Sequence, residues 1–135
     1  MDVPGHSRAW YFVLPALFRE GGCQTKWWAM DPSSNVTFET LGRILKEVAT
    51  IFKGPLFHIG GDEVGSSVWG DIRFDCWHHL ARWAQSKNFR SFAEVLGYFM
   101  GNVFERLQAE GKRPVVWDEV WRQVADLPED VVVQV

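Results

Sequence analysis

No apolar stretch of this chain approaches the ~20 residues that a membrane-spanning helix needs, so no such helix is expected. A charge excess of either sign is missing too. Fourteen Lys and Arg against 17 Asp and Glu leave a net charge of -3, which gives no electrostatic footprint for nucleic acid. Only two cysteines occur, Cys23 and Cys76, too few to establish an oxidising compartment. The amino terminus lacks the basic-then-apolar pattern of a signal peptide, so the chain as given carries no address. Internal repeats and low-complexity segments are absent as well. What is abundant is aromatic surface: 15% of the 135 residues are aromatic, eight of them tryptophan. Indole faces stack on the apolar side of sugar rings while the ring N–H stays available as a donor, although packing explains most of the eight.

Along the chain, helical and extended patterns alternate. Residues 37–53 place Phe38, Leu41, Ile44, Leu45, Val48, Ile51 and Phe52 at helical spacing, with Gly54-Pro55 as a stop. Residues 55–59 then read as a buried strand. A polar, Gly-rich loop follows, and 72–86 reads as a shorter helix. Ser91 through Glu94 form a capping box that opens another helix, with Phe92, Val95, Leu96, Phe99, Val103 and Leu107 as its stripe and Gly111 as its end. Residues 114–117 are the next strand, 118–125 a loop or short helix, and 130–135 a further strand. Strands separated by helices at this spacing predict an α/β fold with a parallel sheet, in a barrel or doubly wound arrangement. The chain also stops on an apolar run within its last strand. We read residues 1–135 as one fragment of a larger fold, too small to close a complete core.

The segment 57–64 carries the chemistry. Phe57-His58-Ile59 ends in Gly60-Gly61, which lets the backbone turn sharply and a ligand approach, and Asp62-Glu63 follow at once. In parallel α/β architectures the carboxyl end of a strand bears the active site, so adjacent acids there suit acid/base work. Gly-Gly-Asp-Glu by itself is more often a solvated acidic turn. His58, taken alone, is a core histidine whose polar atoms are satisfied. His78 and His79 have no metal-ligand partners at suitable spacing, and no metal or cofactor is expected.

Four motifs in register give the chain a resemblance. Asp2-Val3-Pro4-Gly5-His6, then Asn35-Val36-Thr37-Phe38-Glu39, then His58 through Val64, then Val115-Val116-Trp117-Asp118-Glu119-Val120, resemble the β-N-acetylhexosaminidases of glycoside hydrolase family 20. The resemblance runs the whole chain. It implies the central part of a (β/α)8 TIM barrel, about strands 3 to 6, without the strands that carry the family's substrate-binding arginine, its tyrosine and its further tryptophan and acidic contacts.

It also implies a mechanism. The family is an exception to the two-carboxylate scheme, because the substrate's own 2-acetamido oxygen attacks the anomeric carbon and forms an oxazolinium intermediate. Glu63 then matches the general acid/base and Asp62 the carboxylate that orients the acetamido group. Asp2, His6 and His58 match supporting positions, and Trp117 matches the indole that walls the acetamido pocket. The substrate implied is a terminal β-linked GlcNAc or GalNAc. Trp10, Trp27, Trp28, Trp69, Trp77, Trp83 and Trp121 are expected to pack. Asp118 and Glu119 orient neighbours or bridge the barrel mouth, and neither is expected to be catalytic.

The family's disulfide pattern does not carry over, since its second cysteine position falls nearer Val68 than Cys76, and a Cys23–Cys76 bridge stays open. Asn35-Val36-Thr37 is a sequon at a position that resembles a family glycosylation site, and with the resemblance it implies a lysosomal or secreted enzyme; family members often form homodimers. Two other readings remain. One is an inactive or carbohydrate-binding remnant of the barrel. The other is a diguanylate cyclase-like nucleotide-binding domain, in which Gly-Gly-Asp-Glu forms a hairpin turn, but a helix follows here where that fold needs a returning strand.

Overall fold

The computed structural model describes residues 3–4, 29–65, 69 and 78–135; Asp2, His6, Cys23, Cys76, Trp10, Trp27, Trp28 and Trp77, and the first residues of the helix expected at 72–86, lie outside them. Helix α1 (Asn35–Ile51) begins where Asp31 interrupts the chain: its Oδ1 accepts from the Ser33 N–H at 2.8 Å and from Ser33 Oγ at 2.6 Å. Such an Asx turn competes with helix and sets the boundary at Ser34. The helix therefore starts two residues before the expected position. It buries Thr37, Phe38, Leu41, Leu45 and Ala49, while Ile51 and Phe52 at its end are exposed.

Strand β1 (Leu56–His58) follows, then helix α2 (His78–Ser86) and helix α3 (Phe92–Ala109). The capping box at the head of α3 is formed: the Glu94 N–H donates to Ser91 Oγ at 3.3 Å, and the Ser91 N–H donates to Glu94 Oε2 at 3.1 Å. Two donors that the first helical turn leaves over are thereby satisfied. Gly111 ends the segment with φ +70°. The buried face of α3 is wider than its sequence stripe, because Met100 and Phe104 are buried as well. The cause is that α3 packs against α1 on one side and the sheet on the other.

Strand β2 (Arg113–Trp117) runs into helix α4 (Asp118–Gln123), and β3 (Val132–Gln134) completes a parallel sheet in the order β1-β2-β3. His58 stands opposite Val115, Val115 opposite Val132, and Trp117 opposite Gln134. Parallel strands joined through helices put all three carboxyl ends on one side. Among the described residues, the strand that pairs with β1 is the parallel β2, not a returning antiparallel one as a hairpin after Gly-Gly-Asp-Glu needs.

Packing follows from the helices. Phe38 meets Phe99 and Tyr98, and Trp69, fully buried, meets Phe92 and Phe99 while its indole N–H donates to the Met30 carbonyl at 2.9 Å. Each fully buried side chain of this size is worth about 1.5–3 kcal/mol relative to exposure. Arg106 ties α3 to α1, its Nε donating to the Phe38 carbonyl at 2.9 Å. Lys112, itself buried, donates from Nζ to the carbonyls of Phe52 and Gly54 and so joins the end of α1 to the start of β2. Among the described residues no helix is long and apolar enough to cross a membrane.

Candidate active site

The sheet ladder continues one step beyond β1 and then stops. The Ile59 N–H donates to the Val115 carbonyl at 3.0 Å, the Ile59 carbonyl accepts from the Val3 N–H at 3.0 Å, and the Gly60 carbonyl accepts from the Trp117 N–H at 3.1 Å. From there the backbone turns into the left-handed region: φ is +76° at Gly60, +90° at Gly61 and +53° at Glu63. For a glycine this is free of steric cost, but for a glutamate it costs roughly 1–3 kcal/mol and persists only where neighbours hold it. Gly61 is required twice over. A Cβ there would lie 2.3 Å from Val120 Cγ2, so α4 seats directly on the glycine.

Asp62 and Glu63 thus leave the end of β1 from a fixed, sharply turned backbone, Asp62 half-buried and Glu63 exposed. The peptide joining them is anchored from the next strand. Its N–H, that of Glu63, donates to Glu119 Oε2 at 2.7 Å, and Glu119 stands on the first turn of α4, directly after β2. The second acidic pair is therefore divided. Asp118 pairs with Arg122 one helical turn away, whereas Glu119 reaches across to the first pair.

His58 and Trp117 occupy the same end of the sheet. Their ring centroids are 4.8 Å apart at 60°, and both side chains are half-buried. His58 Nδ1 accepts the Gly60 N–H at 3.0 Å, which leaves Nε2 as the protonated nitrogen of the neutral imidazole. His79 lies elsewhere, with Nε2 3.5 Å from the Asp31 carboxylate. No group of three His, Cys, Asp or Glu residues among the described ones could hold a metal ion.

The structure accordingly brings together Asp62, Glu63, Trp117 and His58 from the predicted set. Asn35, the sequon residue, is exposed at the first position of α1. Trp69 and Trp83 pack as expected, Trp83 against Phe89 and Tyr98. Trp121 does not. It is 62% exposed on α4, because Val120, and not its neighbour, is the residue that this short helix turns inward. Of the acidic pair expected to orient neighbours or bridge the barrel mouth, Glu119 is the one that reaches the site, and its particular partner, the Glu63 N–H, is what sequence reasoning did not name.

A parallel α/β sheet whose strand ends gather two adjacent carboxyl groups, an indole and an oriented imidazole is a glycosidase-like arrangement. The sequence profile of the glycosyl hydrolase family 20 catalytic domain matches residues 1–135, and the chain belongs to that family. It is 31% identical over 135 residues to beta-hexosaminidase 1 of Arabidopsis thaliana, covering 99% of this chain and 23% of that protein. It is likewise 31% identical over 142 residues to the beta-hexosaminidase subunit beta of Sus scrofa, covering 99% and 25%. Among solved structures, the GH20 exo beta-N-acetylglucosaminidase of Vibrio harveyi in complex with N-acetylglucosamine superposes with a TM-score of 0.83 at 27% identity, over 98% of this chain and 21% of that one. The chain thus spans about a quarter of the length of the curated relatives it matches.

Proposed function

We propose that these residues form the central part of a (β/α)8 barrel, about its third to sixth strands, in an enzyme that removes terminal non-reducing N-acetylhexosamine from β-linked glycosides. The observation that carries the reading is the Asp62–Glu63 pair, held at the carboxyl end of β1 beside Trp117 on the neighbouring strand end. Family membership supports the same reaction.

In this reading the 2-acetamido carbonyl oxygen of the substrate attacks C1 as the C1–O bond to the leaving group breaks. Glu63, as the carboxylic acid, gives its proton to the departing oxygen. The oxazolinium ion that results is paired with the Asp62 carboxylate, which orients the acetamido group by its N–H. Glu63, now a carboxylate, takes a proton from water as that water adds to C1 and reopens the ring, so configuration is retained overall. Trp117 walls the acetamido methyl, and burying that group against the indole selects 2-acetamido sugars over plain hexoses. His58, with its tautomer set by Gly60, packs beside Trp117 and supports it, and Asp2 and His6 support the acid. Asn35, exposed and inside a sequon, fits a lysosomal or secreted glycoprotein, and the family resemblance suggests a homodimer.

The test is hydrolysis of chromogenic β-N-acetylglucosaminide and β-N-acetylgalactosaminide by the natural full-length polypeptide, run beside the matching β-glucoside. Release from the 2-acetamido substrates alone, with the β-anomer of the free sugar as first product, is expected. Equal hydrolysis of the glucoside, or an α first product, overturns the mechanism. Binding of N-acetylglucosamine without any turnover points instead to a carbohydrate-binding remnant.

A further inference from the structure

The Glu119 contact is unlike the others at the strand ends. A first-turn acid usually serves its own helix, either by hydrogen bonding to a free N–H or through the favourable dipole. Here the carboxylate leaves α4 and takes the backbone N–H of a residue 56 positions earlier in the chain, at 2.7 Å. That N–H belongs to Glu63, which sits in the left-handed region at φ +53°, beyond the point where the sheet ladder supplies an acceptor. A carboxylate acceptor makes such a bond short and charge-assisted.

We propose that Glu119 is a positioning residue for the acid pair: by holding the Glu63 N–H it fixes the peptide between Asp62 and Glu63, and with it the direction in which both side chains leave the backbone. The inference rests on the reading of Asp62 and Glu63 given above. One peptide plane joins the two residues, so rotating it moves both carboxyl groups at once. Asp118, which pairs with Arg122 on its own helix, has no such reach. The parallel register of β1 and β2 is what sets Glu119 opposite the turn, since the Trp117 N–H already donates to Gly60.

The consequence is separable from charge. Glu119→Gln keeps an acceptor at the same reach and removes the charge, Glu119→Asp keeps the charge and falls short of the N–H, and Glu119→Ala removes both. In the natural full-length polypeptide, on a β-N-acetylglucosaminide with a poor leaving group, Ala and Asp are expected to lower kcat about 10²-fold with KM changed less than about threefold, the size of effect that a misplacement of about 1 Å produces. Gln recovers most of that loss. Adding Glu119→Ala to Glu63→Gln costs less than it does in the parent on the same substrate, because the part of its effect that acts through the acid is already gone and only the part that acts through Asp62 remains.

Equal losses in Gln, Asp and Ala, or losses that multiply in the double variant, overturn the proposal, as does full activity in Asp. If Ala fails to fold, the contrast between Gln and Asp decides the matter by itself. Failure of the underlying reading looks different: Glu63→Gln then turns over the poor-leaving-group substrate as well as the parent does, whatever Glu119 is.

Discussion

In the layer made by α1 and α3, regular helical turns bring Leu41, Leu45, Phe99, Val103 and Leu107 into contact, all of them fully buried, and the backbone there does nothing unusual. At the end of β1, four residues include three at positive φ, one of them a glutamate, and the contacts that matter are single polar bonds to the neighbouring strand end. The first region spends its sequence on burial, which is divided among many side chains. The second depends on a few atoms. Substitutions should therefore separate the two by what they change: stability in the helical layer, turnover at the strand ends.

The largest effect falls on the reaction. Glu63→Gln in the natural full-length polypeptide is expected to lower turnover of a substrate with a poor leaving group by about 10³-fold, and to cost much less on an activated aryl glycoside, which needs little protonation. Asp62→Asn should lose activity on both, because its defect is in placing the acetamido group and stabilising the oxazolinium. Kinetics across a leaving-group series check the pair. A leaving-group-dependent loss in Asp62→Asn and not in Glu63→Gln reverses the two roles. The thermal midpoint of Glu63→Gln should stay near that of the parent, since Glu63 is exposed.

In the helical layer the counterpart is Phe99→Ala. Phe99 is fully buried and touches the rings of both Phe38 and Trp69, so its loss leaves a cavity between α1 and α3. A destabilisation of ~3–5 kcal/mol in urea unfolding is expected. Protein that stays folded should keep the KM of the parent. A Phe99→Ala variant with unchanged stability and lost turnover would break the comparison.

Gly61→Ala sits on the boundary between the regions. It forces a Cβ into Val120 and an L side chain into φ +90°, so a loss of about 3 kcal/mol in unfolding is expected together with reduced activity. Val120→Ala added to it removes the steric part alone. Partial recovery of stability measures the clash, and what remains measures the backbone conformation.

The same contrast explains what the sequence disclosed. The α1 and α3 helices were legible because periodicity of apolar residues is a local signal, and the Ser91–Glu94 box and Gly111 marked the ends of α3. The start of α1 was misplaced by two residues, since the Asp31–Ser33 turn that sets it competes with the apolar pattern. Met100 and Phe104 were missed because a single stripe presumes a helix covered from one side, and α3 is covered from two. Strand order and register are properties of pairing between segments, so the Glu63–Glu119 bond had no local signature. Gly60-Gly61 followed by two acids did, because a turn that only glycine makes without strain is written in the residues themselves.

The smallest expected effect tests whether the two regions are independent. Ser91→Ala removes the side chain that accepts the Glu94 N–H at the head of α3, and leaves Glu94 still able to accept the Ser91 N–H. Half of the box survives, so a loss of ~1 kcal/mol in unfolding free energy is expected, at the usual cost of removing a serine cap. Nothing in this change touches the sheet: Phe99 and Met100, which carry α3 onto its neighbours, lie two turns further along. The kcat on both poor and activated substrates should therefore equal that of the parent, and the leaving-group dependence should be unchanged. A fall in kcat beyond the fraction unfolded, measured by active-site titration, would mean that the head of α3 is coupled to the strand ends through the core, and that the division between a packed layer and a polar site is too sharp.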